Sequence, residues 1–422
     1  MMAEHVFLGN DRSGCNLRSL RRRIVGPECR SRKIGTAIRI AGAIFFCSVA
    51  GLADELPSSA TLATVATVAT VAVKGDDGSL EVSGRVLVQG LDGGVLLEER
   101  NGRIRQLTAA MIESKTVSEA PFVWMTDDEL GSDLLSQVPA GFEIHQTDHY
   151  VVCSNSSEEY AVFVGKLLEK VFDQYFQFMK EQEIVVRPPM AKLPVIILQS
   201  EAEFKDFAST QHPETSFVDT PGYYSIRENQ MLLMDLTRDR SIRSVSAIRK
   251  RLSEQPLHVA TIVHEAVHQL AFNSGLQVRM ADNPVWLSEG LALHFEQVIP
   301  RSTSLWTRPG LVNARHHPEF IRSVENAATR ISFNSLTQTD KSFTDSATVA
   351  TAYAESWALT TYLFRQQKSG MGRFLQTISR RIPLQPVTAE QRLQEFTTAF
   401  GKSPDECEQE VVSFVRRLRV PK

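Results

Sequence analysis

The chain has 422 residues, of which 42% are hydrophobic, 23% charged and 8% aromatic. This is globular composition, which excludes a collagen-like, disordered or many-spanning membrane protein, and the length allows two or three domains with a core able to bury a site. The net charge is −3, with 46 Lys and Arg against 49 Asp and Glu, and gives no sign of a nucleic-acid partner.

That balance is unevenly spread. Met1–Ala53 carries nine Arg and Lys against three acids, so this segment is +6 and the rest of the chain −9. The segment ends in an uncharged run, Ile40–Ala53. As a helix that run spans roughly 21 Å, short of the ~30 Å hydrocarbon core of a bilayer. A basic stretch, a short apolar run and the ending Gly51-Leu52-Ala53 predict a secretory signal over 1–53, and hence an exported protein: periplasmic, secreted or at the cell surface. Membrane association follows only if the segment stays uncleaved as an anchor. Cys15, Cys29 and Cys47 leave with the signal, so Cys153 and Cys407 are the one pair left for a disulfide.

Residues 54–75 read as a low-complexity linker, because Thr61–Val73 repeats a Thr-Leu/Val-Ala triplet, although a β-prone run is the other reading. A small β module follows over 76–120. Its strands are expected at Leu80–Gln89, Gly94–Glu99 and Arg103–Leu107, divided by Leu91-Asp92-Gly93 and the hairpin signal Asn101-Gly102. It reads as a packing or spacer module, with ligand binding as the other reading. Beyond Pro139-Ala140-Gly141 the pattern predicts a strand ending at Ser154, an amphipathic helix over Ser157–Lys180, a buried strand at Leu193–Gln199 and a helix over Glu201–Ala208. Gly222–Ile226 and Gln230–Leu236 flank Arg227-Glu228-Asn229 as a hairpin, and helical patterns dominate from Ser241 onward. Strands first and helices afterwards predict an α+β domain over 140–422.

The stretch Pro256–Gly275 predicts a helix that starts at a proline and stops near Gly275. Inside it lies His264-Glu265-Ala266-Val267-His268. Four residues advance a helix by about 400°, so the two imidazoles share one face and can hold one ion, and nitrogen donors suit Zn²⁺. Glu265 is placed beside them to take a proton from water. A third ligand is available from a second helix over Asn283–Glu296: Glu289 lies 21 residues after His268, among Trp286, Leu287, Leu291 and Leu293, where a carboxylate needs a partner such as a cation. His294, Glu296, His316 and His317 are weaker candidates, expected at the surface or behind the ligands.

HEAVHQL followed by WLSEGLALHFE resembles the gluzincin zinc metallopeptidases, in particular their aminopeptidase-like branch, and also a group of exported bacterial gluzincin-like proteins of uncharacterised function. The resemblance implies a zincin-like fold in which an antiparallel edge strand lies above the active helix, a place that falls to Gly222–Leu236. It implies Zn²⁺ on His264, His268 and Glu289, with Glu265 as the general base. Ala352-Tyr353-Ala354-Glu355-Ser356-Trp357 resembles the start of the family's later helix, whose Tyr stabilises the oxyanion, so the resemblance gives that role to Tyr353. Glu355-Ser356 departs from the family's usual Glu-Lys-Gly. A Gly-x-Met-x-Asn segment that would recognise a free amino terminus is missing, so a strict aminopeptidase is not expected.

Two readings follow. One is a zinc-dependent peptidase acting on a peptide or protein substrate. The alternative is a non-catalytic zincin-fold binding protein at the cell surface or in the periplasm, for which the intact Glu265 has no use.

Overall fold

The computed structural model describes residues 60–61, 67–75 and 78–421, apart from 213–219, 238, 240, 300–304 and 327. The segment expected to act as a signal lies outside these residues. Among the described residues, no helix is long and apolar enough to cross a membrane. The fold is α+β, with strands concentrated before Met234 and helices after it.

The first sheet contains β1 (Ala60–Thr61), β2 (Val68–Gly75), β3 (Gly78–Gly90), β4 (Val95–Glu98), β5 (Ile104–Leu107) and β6 (Ile112–Ser118). All pairings are antiparallel, in the order β5-β4-β3-β2-β6, with β1 on the far end of β3. The second half of the expected linker is therefore an inner strand of this sheet. The reason is its period of two: Ala69, Val71 and Val73 alternate onto one face and join Val82, Val86, Val95, Leu97 and Leu107 in a small core. Gly102 closes the β4–β5 turn with φ +87°, a conformation that glycine adopts at little cost.

Helix α1 (Asp127–Gln137) leads into the second sheet, which contains β7 (Glu143–Gln146), β8 (Tyr150–Ser154), β9 (Leu193–Leu198), β10 (Gly222–Ser225) and β11 (Gln230–Met234). Its order is β10-β11-β9-β8-β7; β8, β9 and β11 run parallel, and both edge strands are antiparallel to their neighbours. The inner strands are buried at every position, as expected for a sheet covered on both faces. Helix α2 (Glu158–Glu181) makes the crossover from β8 to β9, and α3 (Glu201–Gln211) follows β9. Cys153 and Cys407, the two cysteines considered for a disulfide, are both free thiols and buried. Burial pushes the Cys153 thiol up to about 12 and Cys407 to about 11.

The helical half comprises α4 (Val245–Ser253), α5 (Pro256–Asn273), α6 (Val285–Phe295), α7 (His316–Glu325), α8 (Phe333–Gln338), α9 (Val349–Gln366), α10 (Lys368–Ile378), α11 (Ala389–Phe400) and α12 (Glu408–Arg417). Helix α5 starts at Pro256, whose missing N–H costs nothing in a first turn, and stops before Gly275 at φ +76°. It packs against α2, α6 and strands β10 and β11, while α6 packs on α9. At the α6–α9 crossing a Cβ on Gly290 would lie 2.1 Å from Thr360 Oγ1 and 2.7 Å from the Ser356 carbonyl. Only a glycine lets the two helices approach this closely, and the neighbouring residue is Glu289. One continuous hydrophobic core runs from β8 to α12.

Candidate metal centre

Helices α5 and α6 bring together the residues that the spacing singled out. His264, His268 and Glu289 each offer a ligand atom, and these atoms lie within 4.8 Å of one another. His264 Nε2 is 3.3 Å from Glu289 Oε2, and the two imidazole rings are 4.8 Å apart at 74°. Among the described residues this is the one group of three or more His, Cys, Asp and Glu side chains arranged to share an ion.

All three are buried, as is Glu265, which has no exposed surface. No well-formed hydrogen bond reaches His264 Nε2, His268 Nε2, Glu265 Oε1 or either oxygen of Glu289. An orphaned buried polar atom costs on the order of 1–3 kcal/mol. His268 Nε2 and Glu265 Oε1 are left so, and the buried Glu289 has only the His264 Nε2 contact and the Tyr353 hydroxyl beside it. A shared divalent cation would relieve this. Two imidazole nitrogens and one carboxylate are a donor set that fits Zn²⁺. The buried set could hold an ion of this kind.

The electrostatics agree. Burial raises the Glu265 carboxyl to about 8, and the nearby Glu289 charge adds to the rise against the pull of His264. Burial also raises Glu289. His268 is pushed well below the ordinary imidazole value, by burial first and by His264 second. Burial opposes charge on His264 too, but its contacts with Glu289 and Glu296 outweigh that and hold it well above the usual value. Burial thus pushes Glu265, Glu289 and His268 toward their neutral forms, while its two carboxylate neighbours push His264 toward its charged form.

Glu265 is anchored from the sheet. The backbone N–H of Tyr224, on edge strand β10, donates to Glu265 Oε2 at 2.9 Å, while Oε1 stays unpartnered. The edge hairpin expected over Gly222–Leu236 therefore does lie against the helix that carries the histidines.

Glu296 stands behind the ligands. Its Oε2 accepts from His264 Nδ1 at 2.8 Å, and its Oε1 accepts from Asn313 Nδ2 at 2.8 Å. The backbone N–H groups of Arg315 and His316 donate to Asn313 Oδ1 at 3.0 and 3.1 Å, which fixes that amide. A carboxylate on Nδ1 sets the ring so that Nε2 faces Glu289, and it would increase the basicity of Nε2 toward a bound metal. His316 Nε2 is 3.9 Å from Glu296 Oε1, and burial drops its pKa to about 4. His294 lies elsewhere, bonded to Thr361 Oγ1 and packed beside Phe178 and Phe364. His317 Nε2 is bonded to the Val415 carbonyl.

Tyr353, on α9, is half-buried and stacks on His316 with ring centroids 6.3 Å apart. Its hydroxyl interacts with Glu289, and burial together with the Glu289 and Glu265 charges holds its pKa well above the usual phenol range. Glu296 had a readable signal: it is seven residues after Glu289, two helical turns along one face. Asn313 and the Tyr224 N–H had none, since a loop amide and a backbone donor carry no spacing pattern.

Residues 258–385 match the family model DUF1570, described as a protein of unknown function. The match covers less than a third of the chain, yet it contains His264, Glu265, His268, Glu289, Glu296 and Tyr353. No curated protein matches the chain.

Proposed function

We propose that this chain is an exported zinc-dependent peptidase of gluzincin type, hydrolysing peptide bonds of a peptide or protein substrate. The observation that carries the reading is the convergence of buried ligand atoms from His264, His268 and Glu289 within 4.8 Å of one another, with the unpartnered Oε1 of Glu265 on the same helix as the histidines. The resemblance of the two motifs to gluzincins supports it. The missing Gly-x-Met-x-Asn segment speaks against a strict aminopeptidase.

Zn²⁺ bound at this centre would supply Lewis acidity for a carbonyl and lower the pKa of a water to about 7. The chain's own groups do the rest. Glu265 accepts the proton of the attacking water on Oε1 and hands it to the leaving amine nitrogen, so its carboxylate is regenerated. The Tyr224 N–H keeps the other oxygen of that carboxylate in place. Glu296 holds the His264 ring in the tautomer with Nδ1 protonated. Tyr353 is the donor for the oxyanion, which requires its hydroxyl to turn from Glu289 to substrate.

The test is Glu265→Gln in the zinc-loaded chain. Zinc content should be unchanged while hydrolysis of unfolded protein or a peptide library falls by about 10²–10⁴-fold. A variant that cleaves at the parent rate would overturn the assignment. The burial of the whole centre also suits a structural ion in a binding protein. Glu265 separates the two readings, because a structural site needs ligands but no base. Zinc bound by a parent chain without any hydrolysis would favour the binding protein.

A further inference from the structure

The first sheet is more than a spacer in front of the helical half. Its β4–β5 turn sits on the tip of the β10–β11 hairpin, the same hairpin whose Tyr224 N–H holds Glu265. The Ile104 N–H donates to the Arg227 carbonyl at 2.8 Å, and Arg103 pairs with Glu228. A Cβ on Gly102 would come within 2.6 Å of Asn229 Nδ2, so the two turns are in direct contact.

Arg279, in the loop after α5, ties this contact together. It is nearly buried, and its guanidinium donates to the Gly102 carbonyl at 2.5 Å, to the Ile226 carbonyl at 3.5 Å and to Glu98 of β4. Glu98 is itself buried and also pairs with Arg85. One side chain thus reaches a carbonyl in each turn and a buried carboxylate in the first sheet. A planar fork of fixed donors suits this geometry, and a lysine cannot reproduce it.

The other side of the hairpin tip is held to α5. Asn229 Oδ1 accepts from the Tyr224 hydroxyl and from Asn273 Nδ2, each at 2.7 Å, and Asn229 Nδ2 returns a bond to Asn273 Oδ1 at 3.1 Å. Asn229 has φ +56°, and asparagine tolerates this conformation better than most residues. The hairpin tip is therefore gripped between the first sheet and the end of the helix that carries His264, Glu265 and His268.

We infer that Arg279 is a positioning residue: by locking the first sheet onto the β10–β11 hairpin it sets the Tyr224 N–H on Glu265. The inference rests on the peptidase reading for its catalytic consequence and on geometry alone for the clamp. Misplacing a reacting group by about 1 Å can cost on the order of 10²-fold in rate, while the metal ligands stay where they are.

The experiment compares the full-length zinc-loaded parent with Arg279→Met and Arg279→Lys. Arg279→Met should lower kcat by about 10–100-fold. KM and the zinc dissociation constant, measured by chelator competition, should stay within about threefold of the parent. Amide hydrogen exchange over 222–234 should quicken at least about tenfold, since the tip loses its outer support. Arg279→Lys should recover part of kcat, because it restores charge but not the fork. Unchanged exchange in Arg279→Met sinks the clamp. So does faster exchange with an unchanged kcat, or a loss of zinc affinity in step with kcat, which is the mark of general unfolding. If Arg279→Met does not fold, Glu98→Gln removes the same ion pair with its shape kept and is judged by the same readouts. A parent with zinc but no hydrolysis refutes the peptidase reading, and the exchange measurement still decides the clamp.

Discussion

Helices α6 and α12 have similar lengths and opposite surroundings. All eleven residues of α6 are buried, whereas α12 buries only Val411, Phe414 and Val415 of its ten. On α12 a Glu or Arg can reach water, and its presence says nothing beyond solubility. On α6, and on α5 from Thr261 to Phe272, every polar side chain has lost its water and must find a partner in the protein or in a ligand. Most do. Gln269 Nε2 donates to the Pro194 carbonyl, the Ser288 hydroxyl accepts from Gln277, and His294 bonds to Thr361. The atoms left over are Gln269 Oε1 and atoms of His264, Glu265, His268 and Glu289, and of these the ligand atoms of His264, His268 and Glu289 meet at one place. A helix buried on all sides therefore makes its polar residues informative in a way that an amphipathic helix does not.

The strongest way to break this contrast is to compare the chain with and without zinc. At a free zinc level a thousandfold above the dissociation constant, binding adds about 4 kcal/mol to stability, and a chelator should take that away. His268→Leu should then behave oppositely in the two conditions. With zinc present it should be less stable than the parent, because a ligand is gone. With chelator present it should be more stable, by about 1–3 kcal/mol, because an orphaned buried nitrogen has been replaced by a hydrocarbon. Urea unfolding midpoints measure both. A loss of equal size in both conditions would mean that the buried set is not waiting for a cation.

Helix α9 extends the contrast to a buried acid away from the centre. It is buried from Ala354 to Phe364, and Glu355 has no exposed surface. The Ser323 hydroxyl donates to its Oε1 at 2.8 Å, and Arg330 comes no nearer than 4.0 Å to Oε2. Without an ion to share, this carboxyl solves its desolvation by keeping a proton: burial raises its pKa from 4.5 to about 7 despite Arg330. The folded state binds that proton more tightly than the unfolded chain does. The resulting stability is complete below about pH 4.5 and is lost as pH rises through 7, at most about 3 kcal/mol in all. The parent minus Glu355→Gln difference in urea midpoint should shrink across that window. A difference that stays flat from pH 4.5 to 8 would show that Glu355 is ionised throughout.

The same distinction explains how much could be read in advance. The grouping of His264, His268 and Glu289 was legible because its pattern is helical geometry: the histidines one turn apart, and Glu289 among large apolar residues that disfavour a solvated face. The strands of the second sheet were legible as short apolar runs, and the edge hairpin as two such runs around Asn229. Strand β2 was masked by its composition. Its Thr-Val-Ala triplets look like a linker, and only the alternation of Ala69, Val71 and Val73 onto the first sheet's core makes them a strand. The contacts that support the centre were out of reach. Asn313 and the Tyr224 N–H act through tertiary folding, and Arg279 meets Glu98 across 181 residues of chain. Such contacts leave no period in the sequence.

The smallest effect is expected at Glu296, which touches the centre only through His264. Its Oε2 takes the Nδ1 proton, and its other oxygen is held by Asn313. Supporting carboxylates of this kind typically change metal affinity by 10–100-fold, or about 1.4–2.7 kcal/mol. Glu296→Ala should weaken zinc by that amount in chelator competition. Glu296→Gln should fall between, since its amide oxygen still accepts from Nδ1 but carries no charge to make the imidazole more basic. If Glu296→Gln matched Glu296→Ala, charge would be the whole contribution. If it matched the parent, ring orientation would be. The graded result is the one the geometry calls for, because Glu296 holds the ring with one oxygen while Asn313 fixes the other, so position and charge are supplied by the same carboxylate.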